Sequence, residues 1–221
     1  MASRLTRRRL EILEAAADVI RERGLCETRI ADVARRAGAS AALVLYYFDS
    51  KDRLLTEALT HAEDRFYLQT FHELTGLESA RQRLLHLIDR SLPGGATTDE
   101  ALGDWQLWFE LWSRALRDPL VARKREALDR RWRDTIAQIV LDGQQVGEFE
   151  PGDAEAFALR LASLIDGLAI QAILRDRDAT PERVREACID LAGRELGFAP
   201  PRTTQGRSAA RRAADGAGTV G

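Results

Sequence analysis

The stretch that decides the fold is Thr28–Lys51, TRIADVARRAGASAALVLYYFDSK. It divides at Gly38 into two short segments with helical spacing of apolar residues. Thr28 is a suitable N-cap for the first predicted helix and Ser40 for the second. Glycine at the junction suits a tight turn, because it adopts backbone conformations that other residues avoid. The stretch therefore predicts a helix-turn-helix, whose second helix enters the major groove of DNA; an ordinary helical hairpin is the alternative.

Neighbouring segments extend this unit on both sides. Ala34 carries almost no side chain where the two short helices cross, and Phe48 is placed to close the bottom of the unit. Apolar residues at helical spacing precede Gly24, which predicts a first helix that ends there. A longer helix is predicted from Lys51 to about Leu74. Three helices and a long connector therefore form the predicted head.

The remainder of the chain also predicts helices, with no alternating strand pattern. Prolines and glycines stand where these helices begin or end. The sequence therefore predicts an all-α protein with three parts, a head at 1–50, a larger helical domain at 51–197 and a disordered basic tail at 198–221. The predicted helices of the larger domain lie near 78–91, 99–117, 119–147, 153–177 and 180–196.

Composition and charge are those of an intracellular protein with a basic head. The 221 residues include two cysteines without a CxxC motif, and the N-terminus has no apolar run. We therefore predict a cytoplasmic location without a signal peptide or a membrane-spanning helix. Residues 1–53 carry a net charge of +3, from 11 Lys/Arg and 8 Asp/Glu, whereas 54–199 carry −8, from 18 and 26. A basic head favours contact with a polyanion, and ordinary scatter of surface charge is the alternative.

Three segments resemble the TetR family of bacterial transcriptional regulators in order and spacing. They are ILEAAADVIRERG at 12–24, TRIADVARRAGAS at 28–40 and LYYFDSKDRLL at 45–55. The resemblance implies a DNA-binding head, a fourth helix as connector, and a C-terminal domain for ligand binding and dimerisation. It also implies a double-stranded DNA operator and a homodimeric repressor that a small-molecule inducer releases. An activator or a regulator that binds no ligand is the alternative within the family.

The resemblance implies ten DNA-contacting residues in the first turn, on the third helix and at the start of the fourth. A helical period of 3.6 cannot point three consecutive aromatic residues in one direction. We therefore place Phe48 in the core, Tyr47 partly packed and Tyr46 against the phosphate backbone. Lys51 begins the fourth helix, whose free amides also suit a phosphate. The ten residues are Thr28, Arg29, Ser40, Ala41, Ala42, Leu43, Leu45, Tyr46, Tyr47 and Lys51.

Two groove-facing positions depart from the family pattern. Family members commonly carry threonine at position 43 and tyrosine at position 45, whereas this chain has Leu43 and Leu45. No Arg, Asn or Gln stands at positions 40–43 and 45 to make bidentate contacts with bases. We therefore expect thymine-methyl contacts and DNA shape to share operator recognition with phosphate contacts by arginine.

An enzyme and a helical adaptor are the alternative classes of function. The three histidines show no metal-binding spacing, and neither a phosphate loop nor a nucleophile motif occurs. Cys26 and Cys188 are interpreted as small buried residues. We therefore predict no catalytic activity, no metal and no cofactor. An adaptor without sequence-specific DNA binding leaves Tyr46 and Lys51 without a role.

The larger domain contains an aromatic cluster in DEALGDWQLWFELWSRALRDP, 99–119. Three tryptophans at i, i+3 and i+7 form one stripe of a helix. We interpret the cluster as the wall of an inducer pocket; core packing or a dimer surface is the alternative. Asp104 and Glu110 nearby favour a hydrophobic or cationic ligand, held by cation–π contact. The predicted wall consists of Trp105, Trp108, Phe109 and Trp112.

The last two predicted helices are candidates for the dimer interface. The segment GDAEAFALRLASLIDGLAIQAILRDRD, 152–178, is apolar, and its Gly167 permits a close helix crossing. The family resemblance places a four-helix dimer bundle at 153–177 and 180–196. Twofold symmetry of the protein implies a near-palindromic operator. The C-terminal half also resembles that of the betaine-pathway regulators of the family.

Overall fold

The structure, a computed structural model, describes residues 2–93 and 98–199. Every regular element in these ranges is an α-helix, which confirms the predicted all-α fold. The helices are α1 Ala2–Arg23, α2 Ile30–Arg36, α3 Ala41–Phe48, α4 Lys51–Thr75, α5 Ala80–Ser91, α6 Thr98–Ala115, α7 Pro119–Gln145, α8 Ala154–Ile173 and α9 Pro181–Leu196.

Helices α1, α2 and α3 pack around one apolar core in the head. Ile12 of α1 and Val44 and Phe48 of α3 are fully buried in it. Gly38 joins α2 to α3 with a φ of +58°, in the left-handed region that glycine enters without strain. Arg8 of α1 donates a hydrogen bond of 2.6 Å to the carbonyl oxygen of Gly38 and closes this turn. The predicted helix-turn-helix is therefore confirmed.

Side-chain caps fix several helix starts at the residues that the sequence predicted. The Ser40 hydroxyl accepts from the backbone N–H of Leu43, and the Ser50 hydroxyl accepts from that of Arg53, each at 3.1 Å. Helices α7 and α9 each begin with a proline, whose missing N–H costs nothing in a first turn. These local signals explain why the predicted and observed starts nearly coincide.

The head core continues past residue 50 into the larger domain. Leu54 and Leu59 of α4 are fully buried in it, and so are Leu111 of α6 and Val121 of α7. A helix presents one face along its whole length, so the first turns of α4 cover the head while its later turns cover the body. Residue 50 separates the head from the larger domain along the sequence, but the core of the head includes residues of both.

A second core fills the body between α5, α7, α8 and α9. Leu84, Ile136, Leu161 and Cys188 are fully buried in it. Burial raises the pKa of the Cys188 thiol to about 12, as expected for a small buried residue without reactivity. The prediction that Cys26 is also buried was wrong, because the turn after α1 leaves it exposed.

The C-terminal boundaries differ slightly from the prediction. Helix α8 ends at Ile173 rather than 177, and Arg175 just beyond has a φ of +60°. The tail predicted at 198–221 is wrong at its first residue, because Phe198 is buried against Phe149 with ring centroids 5.7 Å apart. Residues 200–221 lie outside the described part of the chain.

Helix α8 is apolar enough to resemble a membrane-spanning segment. Among the described helices it alone combines the required length with a mean hydropathy of 1.5, and 28% of that window is buried. Its inner face packs on α7 and α9, and Arg160 on its surface pairs with Glu195 of α9. These contacts are those of a helix packed in a globular body. Its exposed residues are Glu155, Leu159, Arg160, Ser163, Gly167 and Gln171.

Candidate DNA-binding surface and ligand cavity

Helix α3 presents a small apolar surface to solvent. Ala41, Ala42 and Leu45 are exposed, and Leu43 is half-buried. The Ser40 hydroxyl caps the helix and lies at the same edge. Ala41, Ala42 and Leu45 thus form an exposed surface with methyl groups and no bidentate donor, whereas Leu43 turns partly toward the core.

The three consecutive aromatic residues of α3 point in three directions. Phe48 is fully buried, Tyr47 is half-buried and Tyr46 is 76% exposed. The rings of Tyr46 and Tyr47 meet edge to face, with centroids 5.7 Å apart. Tyr47 thus supports Tyr46 from the core side and holds its phenol at the surface, as helical periodicity predicts.

The turn between α1 and α2 is built differently from the prediction. Thr28 is fully buried, and its hydroxyl donates to the carbonyl oxygen of Gly24 at 2.8 Å. The N-cap of α2 is Arg29, whose side chain makes no capping bond, so the prediction of Thr28 as the cap was wrong. Sequence alone could not reveal this, because threonine can bond backward to a turn as well as forward to a helix. The buried Thr28 hydroxyl cannot reach DNA in this arrangement, whereas Arg29 is exposed.

Lys51 lies beside this turn at the start of α4. Its side chain is exposed, and its Nζ donates to the carbonyl oxygen of Cys26 at 3.4 Å. Most arginines of the head are paired with carboxylates, for example Arg36 with Glu22. Within the described residues 6–53, Arg29 and Lys51 are the cationic side chains without an ion pair. Both therefore remain available to phosphate groups.

A cavity of about 300 Å³ opens in the body between α4, α5, α6, α7 and α8. Three of the four residues predicted for the pocket wall line it. Trp105 is fixed there by a hydrogen bond of 3.2 Å from its Nε1 to the carbonyl oxygen of Ser91. The rings of Trp108 and Trp112 lie next to each other, with centroids 6.0 Å apart. The aromatic lining consists of Phe66, Tyr67, Trp105, Trp108, Trp112 and Trp132.

Sequence reasoning missed the aromatic residues that other helices contribute. Phe66 and Tyr67 come from α4, and Trp132 comes from α7. The rings of Phe66 and Trp132 lie 5.9 Å apart. Trp132 is the fourth tryptophan of the chain, which was the one available signal. Its position opposite the others depends on the packing of α6 against α7, which no local pattern predicts.

Two residues that the prediction placed at the pocket lie elsewhere. Phe109 does not line the cavity; its ring packs on those of Trp105 and Trp112, at 6.3 and 5.9 Å. Glu110 points to the head, where its Oε1 accepts a hydrogen bond of 3.0 Å from the backbone N–H of Leu25. Successive residues of a helix turn by about 100°, so a neighbour of the tryptophan stripe can face another element. The side chain of Asp104 lies outside the described part of the chain.

Four arginines line the cavity, and two of them contact aromatic rings of α4. Arg131 pairs with Asp64 at 2.8 Å, and its guanidinium lies 3.8 Å from the centre of the Tyr67 ring. Arg90 lies 5.3 Å from the centre of the Phe66 ring and pairs with Glu73 at 3.2 Å. These two rings are therefore already occupied by cations of the protein itself.

Carboxylates of three helices also line the cavity. Glu63 of α4 is buried, and Asp129 of α7 pairs with Arg125. Burial raises the pKa of Asp129, although Arg125 acts in the opposite direction. Asp166 of α8 is half-buried, and burial together with the nearby Asp129 raises its pKa to about 6. The cavity therefore combines four indoles, whose faces suit contact with a cation, with three carboxylates and four arginines.

The described side chains include no group of three or more His, Cys, Asp and Glu residues that could hold a metal ion. His86 instead forms a hydrogen bond of 2.9 Å with Glu73, and His61 of α4 is partly buried. Burial is the main cause that lowers the pKa of His61.

Comparison with known families assigns both parts of the chain. Residues 12–58 match the family described as bacterial regulatory proteins, tetR family. Residues 80–197, more than half of the chain, match the C-terminal domain of the BetI-type transcriptional repressors.

Individual relatives agree with this assignment. The HTH-type transcriptional regulator BetI of Escherichia coli K12 is 27% identical over 169 residues, which cover 76% of this chain and 83% of that protein. The BetI of Cronobacter sakazakii is 26% identical over 196 residues, which cover 88% and 93%.

Solved structures of similar proteins have the same fold. A transcriptional regulator from Saccharomonospora viridis, solved in complex with choline, is 33% identical with a TM-score of 0.75 and covers 86% of this chain and 98% of its own. A TetR regulator from Haloarcula marismortui is 26% identical with a TM-score of 0.76, over 86% and 99%. Both domain matches and these relatives lead to one conclusion: the chain belongs to the TetR family of transcriptional regulators and has a C-terminal domain of the BetI type.

Proposed function

We propose that the protein is a cytoplasmic homodimeric repressor that a small quaternary ammonium compound releases from a near-palindromic operator. The observation that carries this proposal is the cavity with four tryptophans and acidic groups in its wall. A quaternary ammonium ion offers no hydrogen-bond donor on nitrogen, so aromatic faces and carboxylates are the groups that can recognise it.

The aromatic lining favours a cation over a purely apolar ligand. Indole has the most favourable face for cation–π contact, worth about 0.5–2 kcal/mol per ring according to its exposure. Arginines cover Phe66 and Tyr67, whereas the tryptophans Trp108 and Trp112 contact other aromatic rings and line the cavity. The choline complex of the regulator from Saccharomonospora viridis supports a ligand of this class.

The proposed dimer uses the outer face of α8. Gly167 is exposed, and a Cβ added there would meet no atom within 4 Å in the isolated subunit. The half-buried Leu164 and Leu168 lie next to it, and Leu174 at the C-cap of α8 is 74% exposed. An exposed glycine next to leucines suits close packing against a second helix. A second copy of the chain, related by a twofold axis, is the proposed partner.

The proposed release of DNA depends on α6. This helix lines the cavity with its tryptophans and contacts the head through Glu110, which accepts from the backbone N–H of Leu25. Arg114, one turn later, pairs with Asp52 near the start of α4. Because α6 contacts both the cavity and the head, we propose that α6 and the head move together between two arrangements. A ligand that binds one arrangement better than the other then increases its population.

The first prediction concerns phosphate contacts. We expect Lys51→Ala to weaken operator binding, because one phosphate contact is lost. For the same reason, the slope of log K against log salt concentration should become less steep by about one unit. Tyr46→Ala is also expected to weaken binding. Mobility-shift assays at several salt concentrations measure both effects. Lys124→Ala removes the other lysine of the chain, on the exposed side of α7, and is the matched control. An unchanged salt slope in Lys51→Ala would remove this lysine from the interface.

The second prediction concerns the dimer. We expect Gly167→Trp to produce monomers, since an indole cannot fit into a close helix crossing, and operator affinity to fall because two half-sites are then no longer bound together. Light scattering reports the mass. Lys124→Trp, which introduces the same indole elsewhere on the body, is expected to remain dimeric. A dimeric Gly167→Trp protein would place the interface elsewhere.

The third prediction concerns the ligand. We expect choline to release the operator, and 3,3-dimethyl-1-butanol, in which carbon replaces the nitrogen, to release it much less, because only choline carries a charge. Trp108→Ala is expected to bind the operator but not to respond to choline. Circular dichroism checks its fold, since Trp108 packs on both cores. Equal release by the two compounds would indicate an apolar pocket without cation selectivity.

The fourth prediction concerns Glu110. We expect Glu110→Ala to bind choline as the wild type does, while choline lowers its operator affinity about tenfold less, because a coupling of roughly 1–3 kcal/mol is weakened. Glu110→Gln keeps an oxygen that can accept from Leu25, and we expect it to restore most of the response. Titration calorimetry gives choline affinity, and mobility shift gives the response. A normal response in Glu110→Ala would show that the signal takes another route.

A further inference from the structure

Asp166 differs from the other carboxylates of the cavity wall in its partners. Asp129 forms an ion pair with Arg125, and Glu63 is buried with an interaction of its own. In the described ranges, the carboxylate of Asp166 has neither an ion pair nor a hydrogen bond with another side chain. A carboxylate without a direct partner in a partly desolvated site is unfavourable, and such groups are therefore candidates for ligand contact.

The charges around Asp166 come mainly from α7. Arg125, Asp129 and Arg133 follow one another at intervals of four residues and act on it electrostatically. Asp129 repels its negative charge, and the two arginines attract it. Glu63 of α4 lies in the same cavity wall, as does Arg90 of α5, which pairs with Glu73. Helix α9 contributes no charge that acts on Asp166 among the described residues.

We propose that Asp166 is the counter-charge of the bound quaternary ammonium ion and determines selectivity for cations over neutral ligands of the same shape. This inference rests on the proposed inducer class. The tryptophans supply faces that also accept apolar groups, so they discriminate between charged and neutral ligands only in part. A carboxylate in the same cavity adds an attraction that a neutral isostere does not receive.

Competition between the cation and a proton follows from this role. Burial raises the pKa of Asp166 to about 6, so the carboxylate is ionised above that pH and neutral below it. A cation binds the ionised form better and lowers this pKa when it is bound. Affinity is therefore complete above about pH 7 and decreases as the pH falls through the pKa. A group with an ordinary aspartate pKa would show no change in this range.

The test is titration calorimetry of the full-length protein with choline and with 3,3-dimethyl-1-butanol between pH 5 and pH 8. For the wild type we expect choline affinity to be roughly tenfold lower at pH 5 than at pH 7, and affinity for the neutral isostere to stay constant. In Asp166→Asn we expect choline affinity to be lower at pH 7 and independent of pH. The ratio of the affinities for choline and for the neutral isostere is therefore also expected to be smaller in this variant than in the wild type.

Two controls separate this role from a structural one. Asp134→Asn removes a carboxylate from the exposed side of α7 and is expected to leave both affinities unchanged. Asp166→Asn is expected to unfold at a higher temperature than the wild type at pH 8, since it removes a charge that the folded state disfavours. Wild-type affinity and pH dependence in Asp166→Asn would overturn the inference while leaving the inducer class intact. Failure of the wild type to bind choline at any of these pH values would overturn both.

Discussion

The rest of the structure depends on one constraint, the burial of α6 in two cores at once. Leu107 and Leu111 are fully packed in the core of the head, whereas Trp105 packs in the core of the body and lines the cavity. Trp108 contacts both cores. Close-packed interiors resist small displacements, so α6 cannot move against one core without disturbing the other. The long α4 follows the same rule, since its first turns belong to the head and its later turns to the body.

Because α6 packs in both cores, the few polar contacts that join α6 and α4 to the turn after α1 are important for the position of the head. Glu110 holds the backbone of Leu25, and Lys51 contacts the carbonyl oxygen of Cys26, so neighbouring residues of one turn are held by α6 and by α4. A single hydrogen bond contributes roughly 0.5–1.5 kcal/mol net to stability. The effect of these two contacts lies in geometry, because the turn that they hold leads directly into α2 and carries Arg29.

The sequence predicted the helices and the head well, and the tertiary contacts of single side chains poorly. Apolar periodicity, Gly38 and the serine caps act locally, so they specify α1 to α4 without knowledge of the fold. Thr28 and Glu110 were misplaced because each side chain had two chemically reasonable partners, and packing selected between them. Trp132 was missed for a similar reason: its role depends on α7 lying opposite α6, which is a property of the assembled body.

The charges that a ligand meets in the cavity also depend on tertiary contacts and not only on which residues line it. Arg90 and Arg131 line the wall, yet each is paired with a carboxylate and covers an aromatic ring of α4. Formal charges of the lining therefore misrepresent what a ligand meets. An ion inside the cavity meets the faces of tryptophans, carboxylates of α7 and α8, and Arg133 of α7. Helix α8 also carries the surface proposed for the partner subunit. The helix that bears Asp166 would then be fixed on both sides, by α7 and by a second copy, and this rigidity favours a preorganised site for a small cation.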